Sequence, residues 1–339
     1  MPDATTILAA VLIAVVPSLV YLAILNAIDR YEKEPWTILL ACLGVGALVA
    51  PAITIGILAL LGRPATLPPA FAPGPATGAI TPVIETLVLG VLMIVLTYTV
   101  RDEFDDTLDG VIYGAAMGAG FGAAESFLYV LGGTALLTPS TVAMLVIAGL
   151  NQAFYMAVFG AILGWAQGLP ARQRWVAIVL GLGTAAWLHA FHDTLPQILS
   201  RVLGDAGRDA GPVLRLMADL LNWLGIITLG VVVVLAWRRE ALILRAELRD
   251  EVASGLVSDA DYATITSAGG RVGREWRLLR EHGLAGTNRL RRRYALEGEL
   301  AFHKWRMKVR NRRTPPAERG DALRAEIRRL SDTLPEATA

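Results

Sequence analysis

The residues with the clearest capacity for chemistry lie in the stretch HAFHD, residues 189–193, inside the apolar run LGLGTAAWLHAFHDTLPQIL. On a helix, His189 and Asp193 are four positions apart and share a face, and His192 lies on nearly the same side. One helix face could therefore present an imidazole and a carboxylate together. These groups are ordinary zinc ligands, and a catalytic zinc takes about three protein ligands plus an open position for water.

Polar residues also interrupt other apolar segments. Glu85 lies in ITPVIETLVLG, Glu125 in GAAESFLYV, and Asn151 and Gln152 in LNQAFYMAV. An ionisable side chain inside a bilayer is costly unless it is paired or solvated, so both glutamates are functional candidates. Either could supply a metal ligand or the general base that takes a proton from water. The two amides are poorer ligands, and we expect them to bridge helices and support the site. Asp219, near the end of the last apolar segment, is a weaker candidate.

The elements that position these residues are apolar segments long enough to cross a bilayer, whose core takes about 20 residues as a helix. A mean hydropathy of +0.51 and a hydrophobic content of 54% indicate an integral membrane protein and exclude an ordinary soluble domain. We predict an all-α polytopic transmembrane bundle with a cytoplasmic helical tail. The predicted spans are 5–27, 37–61, 79–99, 110–131, 140–167, 175–197 and 214–236.

Basic charge is concentrated after Trp237, where 22 of the 31 Lys and Arg residues and 15 of the 30 Asp and Glu residues give a net charge of +7. We therefore divide the chain into a membrane domain, 1–237, and a basic amphipathic tail, 238–339. A basic tail favours the cytoplasmic side, which with seven spans puts the N-terminus outside. We expect the tail stretches RLRRRYALEG and KWRMKVRNRR to meet anionic lipid, and we expect no nucleic acid.

Helix rise places the candidate residues at a similar depth. At about 1.5 Å per residue, Glu85 and Glu125 each lie roughly 9 Å from the outer end of their spans, and His189 lies roughly 12 Å from its own. The residues alone leave three interpretations open: a buried hydrolytic metal site, a proton or ion relay, and a structural polar network. The structural network ranks first at this point, because buried polar clusters also hold transmembrane helices together.

The order and spacing of these segments resemble the PrsW family of intramembrane proteases, relatives of the CAAX-protease and bacteriocin-processing group. The resemblance spans residues 25–200 and is carried by DRYEKEPW, ITPVIETLVLG, RDEFDDTLDGVIYGAAMGAGFGAAESFLYV and HAFHD. It implies a multi-span protease, expected in a bacterial cell membrane, whose site is built around Zn²⁺. The implied substrate is a single-span membrane protein such as an anti-sigma factor, cleaved near the outer membrane face.

The resemblance carries over to individual residues. Glu85 matches the first glutamate of the family's paired-glutamate motif, Glu125 matches the glutamate of its second motif, and His189 with Asp193 matches the last motif. We therefore assign catalytic roles to the two glutamates and metal binding to His189 and Asp193. His192 is added as a substitute metal ligand.

The chain departs from the family pattern in three places. Thr86 stands where a second glutamate is usual, and Leu89 stands where a lysine is usual. Asn151 and Gln152 occupy the region of the fifth span where relatives usually have a histidine. A neutral amide is a poor zinc ligand, so two alternatives remain beside the metalloprotease: a catalytically degenerate pseudoprotease that binds membrane partners and, less favoured, a small transporter or ion relay.

Overall fold

The computed structural model describes residues 3–29, 31, 33–62, 80–100, 104, 106–132, 137–202, 204, 211–267, 270–309 and 317–331. Every regular element in these ranges is a helix, which confirms the predicted all-α class. Seven of the helices are long and apolar enough to cross a membrane, as the hydropathy predicts. The helices that carry these spans are α1 Ala4–Ile28, α2 Trp36–Leu60, α3 Ile80–Thr99, α4 Thr107–Leu131, α5 Pro139–Ala166, α6 Ala171–Val202 and α7 Gly211–Glu247.

Local sequence signals explain where several of these helices begin. The Asp3 carboxylate accepts from the Thr6 backbone N–H at 2.8 Å and caps α1. Asp106 and Asp109 form a reciprocal capping box at the start of α4. Thr138 caps α5, whose first residue is a proline and therefore needs no hydrogen-bond acceptor for a backbone N–H.

Close packing of α4 on α5 depends on small residues along GAAMGAGFGAA. A Cβ atom added at Gly118 would collide with the backbone of Gln152, and one added at Gly122 would lie 2.6 Å from the Cα atom of Gly149. The backbones approach closely because neither glycine has a side chain, as the small-residue spacing predicts. This contact fixes the height of Gln152 on α5 relative to Glu125 on α4.

Among the seven spans, α4 is the most buried within the protein and α7 is the least buried.

The chain divides into two compact units. The first comprises residues 1–29 and 34–233, and the second comprises 30–33 and 234–339. In the second unit, four further helices follow α7: α8 Arg249–Ala253, α9 Asp259–Ile265, α10 Gly270–Val309 and α11 Ala317–Ser331. Gly283 has φ 66° and kinks α10, a conformation that residues with a Cβ rarely adopt.

The core of the second unit includes a residue from far upstream in the chain. Tyr31, which lies between α1 and α2, packs with apolar residues of α7, α9 and α10. The guanidinium of Arg271 lies over its ring at 5.2 Å and over the ring of Tyr294 at 5.5 Å. The other members of this core cluster are Leu244, Leu248, Ile265, Leu278, Leu290, Tyr294, Ala301 and Phe302.

Candidate active site

The structure brings together the polar residues that the sequence predicts for the site. Glu85 lies on α3, Glu125 on α4, Asn151 and Gln152 on α5, and the three HAFHD residues lie on α6. Each of these seven side chains is buried. The helices place them side by side because the four spans pack against one another around this level.

His189 is the centre of the cluster, and its two ring nitrogens face different groups. Nδ1 lies 3.0 Å from the hydroxyl of Thr86, and Nε2 lies 3.2 Å from the amide nitrogen of Gln152. Nε2 also faces Oε2 of Glu85 at 3.7 Å and Oδ2 of Asp193 at 3.5 Å. One imidazole nitrogen is thus directed at two carboxylates and an amide.

Thr86 determines which nitrogen of His189 carries the proton. The Thr86 hydroxyl has a single hydrogen, which it donates to the Pro82 carbonyl at 2.9 Å. Toward His189 the hydroxyl can therefore only accept, so Nδ1 is the protonated nitrogen of the neutral ring. The lone pair of Nε2 is left to accept from Gln152 and to face the carboxylates. A metal-ligating histidine is held in the same way, by a hydrogen bond at the nitrogen that is not the ligand.

Glu85 and Glu125 have contrasting hydrogen bonding. Glu85 is fully buried, and neither of its carboxylate oxygens has a hydrogen-bond partner among the described residues. Oε2 of Glu125 accepts from Nε2 of Gln152 at 3.1 Å. The Gln152 amide therefore donates to both Glu125 and His189, and connects α4 to α6 through α5.

His192 lies between two carboxylates. Its Nδ1 is 2.8 Å from Oδ1 of Asp193, and its Nε2 is 2.9 Å from Oδ1 of Asp219 on α7, with the Asn151 amide nitrogen at 3.5 Å from Nε2. A neutral imidazole has only one N–H, so both contacts are hydrogen bonds only when His192 or one of the two carboxyl groups carries an additional proton. To bind a metal, His192 would have to give up one of these carboxylate contacts.

Two further residues complete the site and are absent from the sequence prediction. The ring of Tyr155 stacks on His189 at 4.7 Å, and its hydroxyl accepts from the amide of Asn222 on α7 at 2.6 Å. Their spacing in the sequence could have identified them. Tyr155 lies four positions after Asn151, and Asn222 lies three after Asp219, so each shares a helix face with a candidate residue.

Comparison with known proteins gives one informative result. A model of the PrsW family of intramembrane metalloproteases matches residues 34–237, which is more than half of the chain and includes every site residue described above. The chain belongs to the PrsW family. Searches of curated proteins and of solved structures give no match. The resemblance predicted from the motifs is thereby confirmed, and the chain is an integral membrane protein of a protease family.

The residues that depart from the PrsW pattern lie on helices that form the site. Thr86 takes a position beside His189 and orients its ring, so the loss of the second glutamate leaves a polar partner there. Leu89 is buried and apolar, which removes the positive charge usual in the PrsW family at that position. Gln152 contacts both Glu125 and His189.

The chemistry of the site can be tested against a divalent metal. Two ligands of a tetrahedral zinc with bonds of about 2.1 Å lie about 3.4 Å apart. The separations from Nε2 of His189 to Asp193 and to Glu85, 3.5 and 3.7 Å, are close to that value. Within the described ranges neither Glu85 oxygen has a hydrogen-bond partner, and a bound cation would interact with both. As the side chains stand, no three His, Cys, Asp or Glu residues in the described ranges form a closed metal cluster. The types of donor suit a divalent metal, but the described side chains do not form a three-ligand site in their present positions.

Proposed function

We propose that this PrsW-family chain is an active intramembrane metalloendopeptidase. The observation that carries the proposal is the fully buried Glu85 carboxylate, which has no hydrogen-bond partner among the described residues and faces the unprotonated nitrogen of His189. A buried carboxylate without a partner is costly, and a bound cation relieves that cost. His189, Asp193 and Glu85 would hold the metal, and Zn²⁺ suits one imidazole and two carboxylates.

A metal bound there acts as a Lewis acid that makes water a better nucleophile. Glu125 is the general base in this proposal, since Gln152 fixes its orientation from the neighbouring helix. It takes a proton from the attacking water as the oxygen adds to the scissile carbonyl carbon. It returns the proton to the amide nitrogen as the C–N bond breaks, so the same carboxylate serves as base and then as acid.

The proposed substrate is a single-span membrane protein, such as an anti-sigma factor, cleaved near the outer face of a bacterial cell membrane. Two observations support a membrane-embedded substrate. The site residues are buried within helices that are apolar enough to span a bilayer, and the matched family consists of intramembrane enzymes. The proposed topology, with the tail in the cytoplasm, rests on the excess of basic residues after Trp237.

The first test is the metal content of the purified chain, compared with His189→Ala and with the matched control His282→Ala, an exposed histidine of the tail. We expect close to stoichiometric zinc in the wild-type chain and the control, and its loss in His189→Ala. The second test compares new protein termini in membranes that contain the wild-type chain or Glu125→Gln. Termini that form in both samples equally would contradict the peptidase proposal.

A specific observation favours a second candidate, a pseudoprotease that binds membrane partners without cutting them. The Gln152 amide donates to Nε2 of His189, the nitrogen that would bind the metal. If no metal binds to either the wild-type chain or the control, and no termini depend on Glu125, this second candidate replaces the first. The cluster would then hold α3, α4, α5 and α6 together as a polar network.

A further inference from the structure

In the basic stretches from which the sequence predicts lipid binding, most of the basic residues that the structure describes form ion pairs within the tail. In RLRRRYALEG, the guanidinium of Arg291 lies 2.7 Å from Glu275, and that of Arg292 lies 2.6 Å from Glu326. In KWRMKVRNRR, the ammonium of Lys308 lies 2.7 Å from Glu247. Arg293 and Lys304 are also paired with acidic side chains. Cations neutralised in this way attract anionic lipid weakly.

A different part of the tail carries basic residues without such partners. Arg277 and Arg280 on α10 are exposed, and neither forms an ion pair or hydrogen bond with any described residue. Between them and the helix start lies Trp276, whose side chain is 58% exposed. Together with Gly273 and Glu281, these residues line an open depression of about 380 Å³. We call Gly273, Trp276, Arg277 and Arg280 the Trp276 surface.

The Trp276 surface combines two chemical features that suit a bilayer interface. Tryptophan is enriched at the level of the lipid headgroups, because its ring is apolar and its N–H is polar. Arginine binds phosphate through a planar fork of donors. The exposed Trp276 ring therefore lies beside two exposed guanidinium groups, a combination that suits the headgroup layer of a bilayer.

The connection of the tail to a membrane-spanning helix makes the bilayer the expected partner of the Trp276 surface. The tail follows directly from α7, which begins as a membrane span and continues to Glu247. A surface tethered to a membrane protein meets lipid headgroups at a high effective concentration, so even a weak attraction is sufficient. We propose that the Trp276 surface docks on the headgroups of anionic phospholipids in the membrane that the chain spans. This inference does not depend on peptidase activity.

The test uses the full chain with a single introduced cysteine that carries an environment-sensitive fluorophore. Gly273→Cys is suited to this purpose, because a Cβ at Gly273 meets no atom within 4 Å. Ala295→Cys is the matched control, since it is exposed and lies one helical turn from the paired Arg291 and Arg292. The native Cys42 is fully buried, and the unsubstituted chain measures its background labelling.

Each labelled chain is placed in nanodiscs of phosphatidylcholine alone or of equal parts phosphatidylcholine and phosphatidylglycerol, and quenching by spin-labelled lipid is recorded. At roughly fivefold per arginine, the pair predicts about a 25-fold shift toward the docked state in the anionic discs. We expect quenching at position 273 but not at 295, and its loss in Arg277→Gln/Arg280→Gln. Arg291→Gln/Arg292→Gln removes the same charge from paired residues and should leave the quenching unchanged.

Three results would overturn the proposal. The first is equal quenching at position 273 in both kinds of disc. The second is an equal loss of quenching in the two double variants, which would assign the effect to net charge. The third is the same fluorescence change when inorganic phosphate is added to neutral discs, which would assign the surface to a soluble anion.

Discussion

Buried carboxylates occur in both units of the chain, but their surroundings differ. In the second unit, Asp261 is paired with the guanidinium groups of Arg274 and Arg293 at 2.9 and 2.8 Å. In the membrane unit, Glu85 and Glu125 contact no Lys or Arg among the described residues. The same kind of group is therefore neutralised by arginine in one unit and has no described lysine or arginine partner in the other.

This difference distinguishes buried polar groups that stabilise the fold from buried polar groups that serve a function. A buried charge with a hydrogen-bonded counter-ion holds a fold together, and removing one member is costly because the other stays buried. A buried carboxylate without a counter-ion lowers stability, and proteins retain such groups where chemistry requires them. The comparison predicts that substitutions in the membrane cluster change function, whereas substitutions in the tail network change stability.

The largest expected effect is on catalysis. Glu125→Gln should lower the cleavage rate by about 10²–10⁴-fold, the usual contribution of a general base, while the bundle stays folded. The measurement is the rate of formation of cleaved membrane fragments, with thermal unfolding as a check on folding. Glu281→Gln, at an exposed tail position, is the matched control. A rate unchanged by Glu125→Gln would contradict the role of Glu125.

The second effect concerns the tail network. Arg293→Met leaves Asp261 with one guanidinium and removes the partner of Glu297, whose Oε1 lies 2.9 Å from Nε of Arg293. Breaking buried pairs should lower the free energy of unfolding of the second unit by about 3–5 kcal/mol. Arg291 pairs with Glu275, but its guanidinium is largely exposed. Arg291→Met should therefore lower the free energy of unfolding by less than about 1 kcal/mol. Hydrogen exchange of α10 amides measures both, and equal costs would contradict the distinction.

The third effect is a pH dependence of the second unit. Burial raises the pKa of the Glu297 carboxyl to about 7, and the nearby Arg293 only partly opposes this rise. Between the ordinary glutamate pKa and about 7, the unfolded state loses its proton while the folded state keeps it. Stability from this group is therefore complete at low pH and is lost as the pH rises through 7, by up to about 3 kcal/mol.

Glu297→Gln should abolish this loss, so its stability relative to the wild type should increase from pH 5 to pH 8. Measuring the difference at each pH cancels the contribution of His303, whose pKa is lowered by burial and by nearby arginines. The matched control is Glu299→Gln, a partly exposed site paired with Arg319. A difference that is constant with pH would contradict the assignment to Glu297.

The smallest expected effect concerns the orientation of His189. Thr86→Val removes the hydroxyl that accepts from Nδ1 and should weaken zinc binding by about 10–100-fold, the usual cost of losing a partner of a metal ligand. Thr86→Ser keeps the hydroxyl and should restore most of the affinity. Competition with a chelator measures both variants. Equal affinities for Val and Ser would show that the hydroxyl does not position the ring.

The sequence predicts most of the architecture of this protein. Length and hydropathy identify the seven spans. An apolar segment of about 20 residues can satisfy all of its backbone hydrogen bonds inside a bilayer by forming a helix. The predicted span that starts at 110 begins at Thr107 in the structure, since the capping box at Asp106 and Asp109 sets the first turn. The candidate residues converge as predicted, because buried ionisable residues are rare enough to be recognised individually. The catalytic roles of Glu85 and Glu125 and the metal-binding roles of His189, Asp193 and His192 stay predictions.

Other features were decided only by the tertiary structure. Contacts between helices distant in sequence place the Thr86 hydroxyl and the Tyr155 ring against His189. Such contacts also decide which tail arginines are paired. Composition gives the tail its net charge of +7, but it does not show which cations are neutralised by neighbouring acids. Hydropathy and periodicity are properties of a single helix and can be read from its own residues. Hydrogen-bond partners and counter-ions depend on how the helices pack against one another. The sequence by itself therefore determined the spans and the residue types of the site, and the tertiary structure determined which partner each residue has.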